Sequence, residues 1–133
     1  MALAQDRNTQ MLEEVLRAPL SLKQKGSTTI YGGSLVALNA GYAAPGATAT
    51  GRVVMGRCQK QSVNSGADGA VEVSVQRGIF KWANSGTDAV VAADVGATVY
   101  IEDDQTVAHT ATGKSAAGKC IRLDSDGVWV ETV

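Results

Sequence analysis

The segment that comes closest to a chemical motif is residues 108–115, AHTATGKS, which fit a relaxed phosphate-loop pattern ending in Gly-Lys-Ser. A phosphate-binding loop follows a strand and opens a long helix inside a parallel sheet, because loop amides and the helix amino terminus together hold the phosphates. The residues after Ser115 are few and read as β, which leaves no room for such a sheet. We therefore expect a polar hairpin loop with Gly113 at the turn.

Acidic residues gather at residues 102–104 (EDD) and residues 124–127 (DSDG). A calcium site needs about six to eight oxygen ligands from a loop that wraps the ion. Neither run has that loop spacing or a closing Glu, so no bound metal is expected. Residues 124–127 are instead typical of a β-turn, with Asp at the start and Gly127 at a positive φ.

Candidate nucleophiles and bases are scarce, because His109 is the only histidine and Cys58 and Cys120 are the only cysteines. A Ser-His-Asp or Cys-His arrangement requires members within hydrogen-bond reach, and no spacing in the chain indicates such a set. Each cysteine lies in a strand-like run, so two buried, reduced thiols are expected. The sequence favours a protein that is not an enzyme and has no cofactor. A small Cys or His enzyme would instead carry a reactive thiol.

With a net charge of −1, the chain lacks the overall electrostatic signature of a nucleic-acid-binding protein. Arg57, Arg77 and Lys81 would form a mild positive patch if they lay on adjacent strands, but cross-strand charge pairing explains them equally well. No apolar run approaches the roughly 20 residues of a membrane span. Neither nucleic acid nor a membrane is therefore expected as a partner.

Residues 27–133 have the pattern of a compact β domain. Apolar residues make up 44% of the chain, aromatic residues only 5%, and 15 Gly stand against 2 Pro. Alternation is clearest in residues 70–78, where Val71, Val73 and Val75 point one way and polar side chains the other. Short strands joined by Gly-rich turns predict an all-β fold, a small antiparallel β-sandwich or barrel.

Four local features carry further predictions. Residues 28–38 are strand-like, with a bulge or kink at Gly32-Gly33. Residues 39–41 (NAG) should form a turn, and residues 61–68 a loop. Thr87 or Asp88 is placed to cap one helical turn that ends at Gly96.

Residues 1–26 differ from the rest because they are polar and poor in Gly. A short helix there would place Met11, Leu12, Val15 and Leu16 on one face and would stop at Pro19. A helix of this length is marginal alone, so its apolar stripe would need a docking surface. An extended arm explains the same residues, and the sequence leaves the two alternatives open.

The run NSGTDAVVAADVGATVYIEDDQTVAHT at residues 84–110 resembles a capsid cement or decoration protein of Mu-like tailed phages. Residues 30–51, residues 77–86 and the ending SDGVWVETV are similar to the same family, so the resemblance covers nearly the whole chain. It implies a virion protein on the outer surface of the head, assembled in the host cytoplasm. The implied partner is the major capsid protein, and the implied form is a homo-oligomer, a trimer or else a dimer.

Under this interpretation, the stripe of Met11, Leu12, Val15 and Leu16 is the candidate contact with the capsid or with a neighbouring protomer. The alternative function is a glycan-binding β module on a virion or cell surface. That alternative needs exposed aromatic side chains arranged as a platform, for which the candidates are Tyr42, Tyr100, Trp82 and Trp129. Exposure of both tryptophans would favour it, and burial of both would count against it.

Overall fold

The computed structural model describes Gln5 and residues 19–132. These residues form twelve β-strands and one 3₁₀ turn, which confirms the predicted all-β fold. The strands are β1 (Leu20–Lys23), β2 (Thr28–Ile30), β3 (Leu35–Asn39), β4 (Tyr42–Pro45), β5 (Val53–Cys58), β6 (Ser62–Asn64), β7 (Glu72–Gln76), β8 (Gly78–Asn84), β9 (Thr98–Ile101), β10 (Thr106–Ala108), β11 (Ala116–Asp124) and β12 (Gly127–Thr132), and the 3₁₀ turn is Ala92–Asp94.

The strands form a closed barrel, a five-stranded sheet and a two-stranded ribbon. The barrel has the order β10-β8-β12-β11-β9, and its pairs are antiparallel except for β8 with β10. The sheet has the order β1-β7-β5-β3-β4, and the ribbon pairs β2 with β6. The edges of the sheet also approach each other, since the Lys25 amide donates to Ala43 O over 2.8 Å. The sheet is therefore strongly curled beside the barrel.

Strand β3 is buried on both faces and joins the two hydrophobic cores. Leu35 and Ala37 pack into the barrel core, whereas Val36 between them packs into the second core. Alternate side chains of a strand point to opposite faces, so a continuous apolar run is the pattern expected of a central strand. Valines of two other strands are also buried, namely Val73 and Val75 of β7 in the second core and Val128 and Val130 of β12 in the barrel core.

Two glycines permit close approach of neighbouring strands. A Cβ on Gly56 of β5 would lie 2.2 Å from Gln76 O, and one on Gly118 of β11 would lie 2.2 Å from Glu131 O. Both have positive φ, at 141° and 144°. The register of β11 against β9 shifts between Ala116 and Gly118, as expected where a bulge tightens the curvature of a barrel.

The segment assigned to an amino-terminal arm overlaps the sheet. Leu20–Lys23 forms β1 and pairs antiparallel with β7, with Leu20 opposite Val75. The described residues do not include the apolar stripe of Met11, Leu12, Val15 and Leu16. The alternatives of a helix and an extended arm concern residues that are likewise not described.

Two of the local expectations are wrong. Residues 28–38 do not form one kinked strand, because a turn at residues 31–34 with Gly33 at φ 86° separates β2 from β3, and the two strands join different sheets. The loop expected at residues 61–68 contains strand β6.

The helical turn and the β11–β12 turn also differ in detail from expectation. The 3₁₀ turn begins after Val91, whose amide donates to Asp94 Oδ2 over 2.8 Å, so neither Thr87 nor Asp88 is its cap. The turn of residues 124–127 is present, but Gly127 does not have a positive φ. Glycine is needed there for space, because a Cβ would lie 2.9 Å from Trp82 O.

Candidate functional site

The outer face of the barrel carries a row of three side chains on adjacent strands. Trp129 of β12 lies opposite Lys81 of β8 on one side and Arg122 of β11 on the other. The Lys81 ammonium lies 5.9 Å and the Arg122 guanidinium 5.6 Å from the centre of the Trp129 ring. Both distances are within the range of cation–π attraction. We call Lys81, Trp129 and Arg122 the Trp129 row.

Two aspartates of the β11–β12 turn fix this row. Asp124 accepts hydrogen bonds of 2.8 Å from Arg122 Nε, Arg122 Nη2 and Trp129 Nε1, and Asp126 accepts one of 2.8 Å from Lys81 Nζ. The hydrogen bonds from Arg122, and then the one from Trp129, lower the pKa of Asp124 to about 2. Both cations of the row are therefore neutralised by neighbours on the same surface.

Exposed apolar side chains flank the row. Ile121 is 39% exposed, and Ile79 of β8 is 49% exposed. Ile121 lies where the β11–β12 register shifts between Cys120 and Arg122, so the bulge turns it outward. Ile121, Arg122 and Trp129 line one shallow depression. Tryptophan and arginine are enriched at the centre of protein–protein interfaces, where burial of exposed apolar side chains also contributes to binding.

A second polar cluster joins the loops at the end of the barrel. His109 Nδ1 lies 2.8 Å from Asp94 Oδ2, and Asp88 accepts hydrogen bonds from the amide and hydroxyl of Thr110. Asp88 also lies 3.3 Å from Lys114 Nζ. The bond from the Thr110 amide lowers the pKa of Asp88, and the bond from the Val91 amide, more than His109, lowers that of Asp94. These contacts tie residues 88–94 to residues 109–114.

This cluster includes the lysine of the phosphate-loop-like segment. Lys114 is paired with Asp88, and Gly113 turns the loop with a φ of 72°, as expected for a polar turn. Across the described part of the chain, no group of three or more His, Cys, Asp or Glu side chains could hold a metal ion.

Both cysteines are free and buried, as predicted from their strand-like surroundings. Cys58 belongs to the second core and Cys120 to the barrel core. Burial raises the pKa of each thiol. A raised pKa lowers the thiolate fraction, which is the nucleophilic form.

The aromatic residues proposed as a glycan platform are not brought together. Trp82 is 5% exposed and lies in the barrel core, whereas Trp129 is half-buried on the outer face. The two rings are therefore on opposite sides of the barrel wall. Tyr42 and Tyr100 are half-buried on β4 and β9.

Each of the basic residues proposed as a patch has its own local contact. The Arg57 guanidinium lies 4.7 Å from the centre of the Phe80 ring, Arg77 contacts Met55 Sδ at 4.0 Å, and Lys81 pairs with Asp126. The Trp129 row was not predicted as a set, because the strand pairing that creates it cannot be read from residue spacing.

Comparison of the chain with protein-family models, with curated proteins and with solved structures finds no match. Among the described residues, no helix has the length and apolar character required to cross a bilayer.

Proposed function

We propose that this protein is a decoration protein of a tailed-phage head, which binds the outside of the assembled major capsid lattice and stabilises it. The observation that carries the proposal is the Trp129 row with the exposed side chains of Ile79 and Ile121, on an outer barrel face that no other strand of the described residues covers. The resemblance of residues 30–51, 77–86 and 84–110 to the cement proteins of Mu-like phages supports a capsid as the partner.

The chemistry of the face fits a protein partner. Its cations already have carboxylate partners in Asp124 and Asp126. A capsid subunit would therefore not bury unpaired charge, which is costly. Trp129, Ile79 and Ile121 would supply the apolar area at the centre of the contact, and the ion pairs would form its polar rim.

Stabilisation of the head follows from linkage. A protein that binds only the assembled lattice stabilises it by RT ln(1 + [L]/Kd), about 4 kcal/mol per site at a thousand times Kd. A homo-oligomer, with a trimer favoured over a dimer, would engage several capsid subunits at once and gain avidity. The proposed contact with the capsid or with a neighbouring protomer is the amino-terminal stripe of Met11, Leu12, Val15 and Leu16.

The test of the outer face is co-sedimentation with shells assembled from the major capsid protein of the same virus. The wild-type chain should sediment with shells, should not bind unassembled capsid protein, and should raise the temperature at which shells dissociate. Trp129→Ala combined with Ile121→Ser should weaken binding by at least about tenfold, a loss typical of an interface hot spot. Val63→Ser is the matched control, because Val63 is 55% exposed on β6, away from the barrel. Wild-type binding by the double variant would refute this face as the contact.

The amino-terminal stripe is tested separately by light scattering. The deletion should remove only residues 1–18, because Leu20–Lys23 pairs with β7 and belongs to the sheet. A trimer or dimer that becomes a monomer on deletion would place the stripe in self-association. If Ala at positions 11, 12, 15 and 16 left both oligomeric state and shell occupancy unchanged, the proposed role of the stripe would be wrong.

A further inference from the structure

A cleft of about 360 Å³ lies between two turns that are distant in sequence. One wall is the β2–β3 turn and the other is the β9–β10 turn. Its volume falls in the range of small-molecule sites, roughly 300–1,000 Å³. The lining residues are Tyr31, Gly32, Gly33, Ser34, Asp104 and Gln105.

Backbone hydrogen bonds hold both walls in place. The Ser34 amide and hydroxyl both donate to Tyr31 O, over 3.1 and 2.7 Å. The Leu35 amide donates to Asp104 O over 2.7 Å and thereby joins the two turns directly. The Gly33 amide donates to Cys58 O over 2.8 Å, which anchors the first turn to β5. The cleft is preformed, so a ligand would not have to order its walls.

Three of the side chains that line this cleft, those of Tyr31, Asp104 and Gln105, make no hydrogen bond or ion pair within the described residues. Tyr31 is 58% exposed, the highest fraction among the large apolar side chains described. Asp104 is half-buried, yet its carboxylate makes no hydrogen bond or ion pair with the described residues, and neither does the exposed Gln105 amide. By contrast, the neighbouring Asp103 accepts a hydrogen bond from the Gln105 backbone amide over 2.9 Å.

This combination of groups matches a sugar ring. A pyranose presents a face of C–H groups, which an exposed aromatic ring can cover, and a rim of hydroxyls, which need both donors and acceptors. Asp104 offers only acceptors, whereas the Gln105 amide offers both. Hydrogen bonds from hydroxyls to a carboxylate are charge-assisted and stronger than neutral ones. Gly32 and Gly33 keep the first wall free of side chains, and a Cβ at Gly33 would meet nothing within 4 Å.

We infer that the cleft between Tyr31 and Asp104 is a binding site for a neutral saccharide, with the pyranose ring stacked on Tyr31 and its hydroxyls bonded to Asp104 and Gln105. This inference does not depend on the proposed binding to a capsid, which involves residues of other strands, β8, β11 and β12. It also differs from a platform built on Trp82 and Trp129, whose rings lie on opposite sides of the barrel wall.

A cationic side chain is the competing ligand, because a carboxylate beside an aromatic ring also attracts a cation. The neutral groups of the cleft favour the sugar, since a cation would use Asp104 and Tyr31 but leave the Gln105 amide and the open glycine backbone without a role.

The test is NMR titration of the full-length chain, labelled with ¹⁵N, with the methyl glycosides of glucose, galactose and N-acetylglucosamine, and separately with arginine methyl ester. At least one glycoside should shift the amide signals of Gly32, Gly33 and Gln105. Tyr31→Ala and Asp104→Asn should each weaken that binding by about tenfold, as expected for loss of one charge-assisted bond or one stacked ring. Trp129→Ala and Asp126→Asn are the matched controls and should bind as the wild type does.

Three results would overturn the inference. The first is that none of the glycosides shifts any amide signal of the wild-type protein, although its spectrum is that of a folded protein. The second is shifts that persist unchanged in Tyr31→Ala, and the third is shifts caused by arginine methyl ester alone. Loss of sugar binding would leave shell co-sedimentation intact, so the two proposals fail independently.

Discussion

The indole N–H of Trp129 donates a 2.8 Å hydrogen bond to Asp124 Oδ2 across the β11–β12 hairpin. The same carboxylate receives two more hydrogen bonds from Arg122, so both of its oxygens are engaged. Asp124 thereby holds the ring and the guanidinium in one orientation on the outer face of the barrel. One carboxylate at the hairpin turn positions two of the three members of the Trp129 row.

The pH dependence of stability should reflect Asp124. Its pKa is lowered from 3.8 to about 2 by Arg122 and Trp129, so the folded protein binds this proton less readily than the unfolded chain does. The contribution to stability is fully present above pH 3.8 and is lost as the pH falls through about 2. Asp124→Asn should lower the free energy of unfolding near neutral pH and reduce its decline over this acidic window, as measured by urea denaturation at several pH values.

The control for this measurement is Val63→Ser, because this substitution at an exposed position of β6 neither adds nor removes an ionisable group. Its pH profile should run parallel to that of the wild type. Parallel profiles for Asp124→Asn and the wild type between pH 3.8 and 2 would contradict the role assigned to Asp124.

Gly118, at the β11 bulge, should tolerate substitution by alanine far less well than Gly113, which lies in a turn. A Cβ on Gly118 would lie 2.2 Å from Glu131 O, whereas one on Gly113 would meet nothing within 4 Å. Both residues have positive φ, at 144° and 72°, so alanine is strained at both but collides only at Gly118. We expect Gly113→Ala to cost about 1 kcal/mol and Gly118→Ala more than about 3 kcal/mol, as a backbone displacement requires.

Thermal unfolding of the two variants measures this difference. Gly56→Ala should behave like Gly118→Ala, because its Cβ would lie 2.2 Å from Gln76 O. Equal melting temperatures for Gly113→Ala and Gly118→Ala would show that the close strand approach is not required for the fold.

The β3–β4 hairpin offers a stabilising substitution. Its two-residue turn has Ala40 at φ 51° and Gly41 at φ 87°, and Asn39 pairs with Tyr42. Positive φ at both positions is the pattern of a type I′ turn, for which Asn-Gly is preferred. Ala40→Asn should therefore raise the free energy of unfolding by about 0.5–1 kcal/mol. Ala47→Asn, at an exposed loop position without positive φ, should have no such effect, and equal gains from both would contradict the explanation.

The sequence predicted the features that depend on local residue pattern. The alternation of residues 70–78 placed Val73 and Val75 on a buried face, and both are buried. The turn at residues 39–41 follows from the tolerance of Gly41 for positive φ. Each of these depends on neighbours in the chain, so no knowledge of strand pairing was needed.

The features that depend on distant pairing could not be predicted. The break between β2 and β3 falls at Gly32-Gly33, but that dipeptide does not indicate by itself whether one strand bends or two strands join different sheets. The Trp129 row requires the register of β12 against β8 and β11, including a bulge beside Ile121. The cleft at Tyr31 likewise depends on one hydrogen bond between two distant turns, from the Leu35 amide to Asp104 O.

The thiols should be unreactive in the folded protein. Cys58 and Cys120 are 1% and 0% exposed, and burial raises the pKa of both. A reaction with Ellman's reagent near neutral pH should therefore titrate neither thiol until denaturant is added, after which both should react. Val63→Cys is the positive control, because position 63 lies on an exposed strand edge and a cysteine there should react at once. Rapid labelling of native Cys58 or Cys120, traced by Cys58→Ser and Cys120→Ser, would contradict this burial and would favour a cysteine enzyme over a binding protein.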